Sequence, residues 1–142
     1  MILLDTNVLS ECMRPVPAAP VVAWLDAQAA GQVWVCAISR AEIALGVALL
    51  ADGRRKLALG MAAEGMFAED FAGRCLPFDE QAANRYAAIV SARTRLGRPV
   101  SVEDAQIAAI ALAHGMTLAT RNERDFEAID GLSVVNPWRA AP

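Results

Sequence analysis

With 142 residues, 56% of them hydrophobic, and a net charge of −3, the chain can bury one sizeable core and is expected to form a single domain over 1–142. No stretch approaches the roughly 18 apolar residues of a membrane span, and a mean hydropathy of +0.33 on alanine-rich segments fits a compact domain with an apolar partner surface. The pI near 5.1 counts, taken alone, against a nucleic-acid partner, and one histidine with three cysteines in no Cys-x-x-Cys spacing argues against zinc and for buried free thiols.

Ile2-Leu3-Leu4 reads as a short strand buried on both faces. Asp5 interrupts it too early for a signal peptide, so the expected compartment is the cytosol. Thr6 and Asn7 suit the cap of a following helix. An acid at the carboxyl end of a buried strand sits where open α/β sheets bind their ligands, although a lone Asp there also serves as an ordinary cap. Pro15, Pro17 and Pro20 mark a loop, and Val22, Trp24 and Leu25 carry helical spacing over 21–28. Residues 33–38 are β-prone, a second buried strand. Ser39 is followed by a helix from about Ala41 to Leu50, and 51–74 form a helical hairpin or a bent helix weakened by glycines.

Residues 75–78 form a short third strand, and Asp79 caps a long helix to Leu96, closed by Gly97. Ser101 starts another helix that ends at His114-Gly115, where the single histidine fits a helix end better than a catalytic base. Residues 116–120 and 132–136 are the fourth and fifth strands, the latter stopped by Pro137. Strands separated by helices call for parallel pairing through right-handed crossovers. There is no internal repeat, low-complexity tract or linker. The fold expected is a three-layer α/β/α sandwich with a central, mainly parallel sheet of about five strands.

The candidate chemistry is acidic. Ser39-x-x-Glu42 and Ser101-x-x-Asp104 both match the capping box, in which the acid bonds back to the cap amide. Yet Leu45, Gly46 and Leu49 lie at i+3, i+4 and i+7 from Glu42, and Ile107, Ala108 and Ala111 share the face of Asp104. A carboxylate aimed along a buried stripe is costly without a cation. Asn122 and Asp125 follow the fourth strand; either could be a fourth ligand or position water, and Asp125 could equally be a local cap. If the first and fourth strands are neighbours, their crevice collects Asp5, Glu42, Asp104 and Asn122. Carboxylates so crowded stay partly protonated unless a divalent cation neutralises them. Mg²⁺ or Mn²⁺ suits oxygen ligands and phosphate substrates, and supports in-line displacement at phosphorus.

Taken in order, Leu3-Leu4-Asp5-Thr6-Asn7-Val8, Ser39 with Ala41-Glu42-Ile43, Asp104-Ala105-Gln106-Ile107-Ala108-Ala109, Leu118-Ala119-Thr120-Arg121-Asn122 with Asp125-Phe126, and Val134-Val135-Asn136-Pro137-Trp138 resemble a PIN-domain ribonuclease of the VapC/FitB class, the toxin half of type II toxin–antitoxin pairs. The resemblance spans nearly the whole chain. It implies Mg²⁺-dependent cleavage of RNA, with Mn²⁺ as a substitute, metal held mainly by Asp5 and Asp104, and Glu42 completing the pocket. Thr6 and Thr120 would orient ligands or water. It also implies a homodimer, an antitoxin whose C-terminal segment crosses the site, and a higher toxin–antitoxin assembly. PIN domains often carry an acid where this chain has Asn122, which passes the fourth role to Asp125 or to water and argues against a tightly bound second metal.

Other classes fit less well. A haloacid-dehalogenase-like phosphatase needs a second acid where Asn7 stands. A receiver-like phosphotransfer domain could use Asp79 and Thr120 but lacks a lysine at Asn136-Pro137. A catalytically inactive protein-binding module should hold its partner unchanged when Asp5 is replaced by Asn. To reconcile RNA with an acidic pI, dimerisation is expected to pool arginines into a groove beside each pocket, with Arg93, Arg95 and Arg98 as the RNA contacts.

Overall fold

A computed structural model describes residues 1–140. Five parallel strands run in the order β3-β2-β1-β4-β5, namely Cys75–Leu76, Val33–Cys36, Ile2–Leu4, Thr117–Ala119 and Val134–Val135. Successive residues of a strand face opposite sides of a sheet, and this chain fills both sides with apolar groups. Leu3, Cys36, Leu76 and Leu118 enter one core cluster, while Leu4, Val35 and Ala119 enter the other. That is why the strands read as uninterrupted apolar runs rather than alternating ones.

The first cluster packs under helices α5 (Glu80–Arg95) and α6 (Val102–Ala113). The second packs under α1 (Thr6–Cys12), α2 (Ala19–Asp26), and α4 (Arg54–Gly65) with the π-helical turn Met66–Asp70 that continues it. Helix α3 (Ala37–Ala48) meets α1, α4 and α6. The α/β/α sandwich expected from strand–helix alternation is present, and no helix of the described residues is long and apolar enough to cross a membrane.

Two local expectations need correction, and one choice left open is decided. Pro20 lies not in a loop but in the first turn of α2, where its missing N–H costs nothing. Of the two forms expected for 51–74, the single interrupted helix is present and the hairpin is not: α4 continues into a π turn over Met66–Asp70. Strand β2 ends at Cys36 and runs directly into α3, whose N-cap is Cys36 with no side-chain cap. Ser39 is therefore the third helical residue and caps nothing, which frees its hydroxyl for a different partner. The other proposed caps stand: Asp79 Oδ1 accepts from Ala82 N at 3.0 Å, and Ser101 Oγ from Asp104 N at 3.2 Å.

Candidate active site

Because β1 pairs with β2 on one side and β4 on the other, the chain reverses its direction of growth beside β1. A crevice at such a point lies beyond the carboxyl ends of the strands. Asp5 and Thr120 are the first residues past β1 and β4, and the Asp5 amide still donates to Ala119 O at 2.9 Å. Asp5 is 4% exposed and Thr120 fully buried. The Asp5 carboxylate takes three donors: Thr6 N at 2.8 Å, Asn7 Nδ2 at 3.1 Å and Thr120 Oγ1 at 2.7 Å. Asn7 in turn accepts the Arg121 amide on Oδ1 at 3.1 Å, which leaves its amide group a single orientation. Asp5 is thus both helix cap and oriented acid; the two readings are not exclusive.

A second chain of hydrogen bonds fixes Glu42. The Thr6 hydroxyl lies 2.8 Å from Glu42 Oε1 and 2.9 Å from Ser39 Oγ. Its one proton goes to the carboxylate, and Ser39, fully buried, is placed to donate to Thr6 in return. The expectation that Glu42 shares a core stripe is not met, since Leu45 and Leu49 are 59% and 76% exposed. The buried face of α3 carries Ser39 and Ile43 instead, and Glu42 stands at the margin of that face.

Asp5, Thr6, Asn7, Ser10, Glu11, Glu42, Asp104 and Asn122 line one open cleft of about 620 Å³, with Arg14, Arg55, Arg121 and Trp138. An apolar cleft of about 630 Å³ opens beside it, bounded by Met13, Ile43, Val47, Leu50 and Leu59, and the two share Thr6, Ser10, Arg14, Glu42 and Arg55. Of the two candidates after β4, Asn122 reaches the cleft wall and hangs from Thr120 Oγ1 by its own amide at 3.1 Å. Asp125 is exposed and contributes through its charge, which raises the pKa of Asp5 and of Asp104.

Each of the three carboxyls of the pocket is harder to ionise than usual. Burial raises Asp5 despite its three donors. Burial also raises Glu42, opposed by Thr6 and reinforced by Asp5 and Glu103. Asp104 is pushed up to about 6, by burial first and then by the charge of Asp5, with Asp125 and Glu42 adding to it. Such a set favours an added cation. Its donors are all oxygen, which suits a hard divalent ion. Among the described residues no group of three or more acidic, thiol or imidazole side chains is close enough together to hold an ion by itself.

A stability prediction follows from Asp104. Its pKa rises from 3.8 to about 6 on folding, so the folded state disfavours the ionised form. The cost is absent below about pH 4 and fully present above about pH 6, and the metal-free protein should lose stability across that window. In EDTA near neutral pH, Asp104→Asn is expected to melt higher, by roughly 1–2 kcal/mol after allowance for solvent screening. The gain should vanish toward about pH 4. Thermal melts of both proteins across pH check this, and a uniformly lower melting temperature for the variant would show that capping is the only role of this residue.

One buried residue of the cleft escaped the sequence reading. Glu11 is buried, accepting from Ala18 N at 3.0 Å and pairing with Arg14 at 3.5 Å. Its signal was present, because Thr6, Asn7, Ser10, Glu11 and Arg14 form one polar stripe along α1. Ser39 was seen but misassigned. Arg93, expected at an RNA groove, is 4% exposed. It donates to the carbonyls of Arg98 at 2.7 Å, Asp125 at 2.9 Å and Glu127 at 2.8 Å, so its fork is consumed inside the fold. Arg98 pairs with Glu127 at 3.0 Å, and only Arg95 of the trio is exposed without such a bond. The arginines at the acidic cleft are instead Arg14, Arg55 and Arg121.

The chain is similar to known proteins over nearly its whole length. The PIN domain family model matches residues 2–132. The chain is 48% identical over 138 residues to Toxin FitB of Neisseria gonorrhoeae, covering 97% of this chain and 99% of that protein. It is 40% identical over 141 residues to VapC ribonuclease Y4jK of Sinorhizobium fredii, covering 99% and 100%. A solved structure of FitAB bound to an IR36 DNA fragment superposes with a TM-score of 0.90 at 47% identity, over 100% of this chain and 99% of that one.

Proposed function

The chain belongs to the PIN-domain family, with toxins of the FitB and VapC type as close relatives, and from that premise we propose that it is a metal-dependent endoribonuclease acting as the toxin of a type II toxin–antitoxin pair in the cytosol. The observation that carries this reading is Asp5, fixed by three donors at the switch point of the sheet in one cleft with Glu42 and Asp104. The 40% identity to VapC ribonuclease Y4jK supports ribonuclease chemistry.

Asp5 and Asp104 would hold Mg²⁺, or Mn²⁺ in its place, with Glu42 completing the acidic wall. When bound, the ion lowers the pKa of a coordinated water and stabilises charge gathering on the phosphate. The rest falls to the chain. Thr120 and Asn7 keep the Asp5 carboxylate in one orientation, so little reorganisation is needed as charge develops. Thr6, backed by Ser39, aims Glu42, whose raised pKa suits it to take up and release a proton. Asn122 on the wall and the nearby charge of Asp125 complete the set of groups able to position water.

The apolar cleft beside the acids fits the second half of the proposal. The helices that wall this cleft also carry exposed apolar groups outside its lining, Leu45 on α3, Leu49 at its C-cap, and Leu57 and Met61 on α4, all 59–76% exposed, and groups of this kind mark a partner surface. An antitoxin segment laid there would reach the acidic cleft through Thr6, Arg14, Glu42 and Arg55, which both clefts share. The FitAB–DNA structure supports assembly with such a partner; a homodimer is part of the same reading.

The test is incubation of a small-RNA pool with the purified, antitoxin-free chain. Discrete fragments should appear with Mg²⁺ or Mn²⁺ and disappear with EDTA. A folded protein that cuts nothing with any divalent ion would leave the inactive protein-binding module as the reading.

A further inference from the structure

One feature of the cleft wall is not used by the chemistry above. Arg121 Cζ lies 5.0 Å from the centre of the Trp138 ring, and both residues line the cleft that holds Asp5 and Asp104. Each half of the pair is anchored. The Arg121 amide is tied to Asn7, itself bonded to Asp5. The Trp138 amide donates to Oδ1 of buried Asn136 at 2.9 Å, Pro137 between them is fully buried, and neighbouring Arg139 pairs with Glu123 on the turn after β4. One side of the indole packs against the core.

Arg121 itself is exposed and, among the described residues, in no ion pair, although its cleft holds four carboxylates. Packing alone gives no reason to hold an unpaired guanidinium over an indole at the edge of an acidic cleft. A planar cation backed by an aromatic ring offers its outer face for stacking and its N–H edge to phosphate. Unpaired bases in RNA are received on such planes, whereas stacked duplex bases are not accessible to them. We infer that Arg121, laid on the indole of Trp138, is a stacking platform for an unpaired RNA base adjoining the scissile phosphate. The inference rests on the ribonuclease reading for its substrate and adds to it the side chains that receive a base beside the cut.

The test separates stacking from charge. A single-stranded RNA of about 12 nucleotides, within the footprint of such sites, is compared with an abasic ribose–phosphate strand of the same length. Binding is measured to wild type in EDTA and to Asp5→Asn in Mg²⁺, across salt. Wild type should prefer the strand with bases by about 5- to 100-fold, the range that one stacked base gives. Arg121→Lys should lose that preference while keeping the salt dependence, because lysine retains charge but does not stack. Trp138→Leu should lose it by freeing the guanidinium, and a duplex should gain nothing from bases in any protein.

Retention of the base preference by both variants overturns the inference, and so does an effect of Trp138→Leu confined to antitoxin binding. Cleavage of RNA is scored separately. A base preference that depends on Arg121 in a chain that cuts nothing would sink the ribonuclease reading alone. Cleavage by a chain indifferent to Arg121 would sink only the platform.

Discussion

Replacing Asp5 with asparagine is expected to abolish RNA cleavage, by about 10³-fold or more, as when a main electrostatic stabiliser of a transition state is removed. Sterically the change is slight. The retained oxygen can still accept from Thr6 N. On the other side an amide group would face two donors, Thr120 Oγ1 and Asn7 Nδ2. Thr120 can rotate to accept, but Asn7 cannot turn without releasing the Arg121 amide. One misfit hydrogen bond costs about 1 kcal/mol, and the loss of a buried charge offsets part of it. The melting temperature in EDTA should therefore move by no more than about 4 °C. Stabilisation by added Mg²⁺ should disappear, since it depends on the carboxylate. Initial cleavage rates and melts with and without Mg²⁺ measure both, and a variant that still cuts at even a tenth of the wild-type rate would remove Asp5 from the centre.

The second large effect is structural. Arg93→Ala should destabilise the fold by about 3 kcal/mol, because a buried cation leaves and three carbonyls lose their donor together. For a chain of this length that is a fall of roughly 10 °C in melting temperature. Arg93→Lys should recover less than half, since one ammonium cannot span the carbonyls of Arg98, Asp125 and Glu127 as a planar fork does. The turn it clamps includes Ala128 at φ 59°, the one non-glycine with positive φ among the described residues. That conformation costs an alanine about 1 kcal/mol and is held by the bonds beside it. Denaturant unfolding of the three proteins decides the matter, and an unchanged midpoint for the alanine variant would return Arg93 to the list of surface arginines.

Much of this architecture could be read from the chain because it follows from local rules. Apolar or β-prone runs of three to six residues, the first closed by Asp5 and the last stopped by Pro137, marked the strands and, with the intervening helices, the parallel sheet, although the observed strands are shorter, at two to four residues. Asp5 stood out as an acid at a strand end, and the Ser101 cap was read correctly. The failures share a cause. Ser39 matched a capping box, but the helix began two residues before it because β2 stopped short at Cys36; element boundaries are set by packing, not by the tetrapeptide. Glu42 was assigned to a core stripe because Leu45 and Leu49 are apolar, yet they face outward beside a cleft. Arg93 was taken for a surface cation on residue type alone. Its position argued otherwise, since Ala82, Tyr86, Ile89 and Arg93 fall at spacings of four, three and four on the buried face of α5. Arg121 and Trp138 are 17 positions apart with nothing local to join them; only the pairing of β4 with β5 brings their ends together.

The central placement of β1 also sets a timetable. The bond from Thr120 to Asp5 spans 115 residues, and β1 lacks one of its two neighbours until β4 is made. At translation rates of about 5–20 residues per second, that separation is roughly 6–23 s of synthesis. For most of that interval Asp5 has been made without the acid of α6, and for all of it without the Thr120 hydroxyl. On the ribonuclease reading, the growing polypeptide would therefore be unable to cut until it is almost finished, because its central acid is completed only by the last third of the chain.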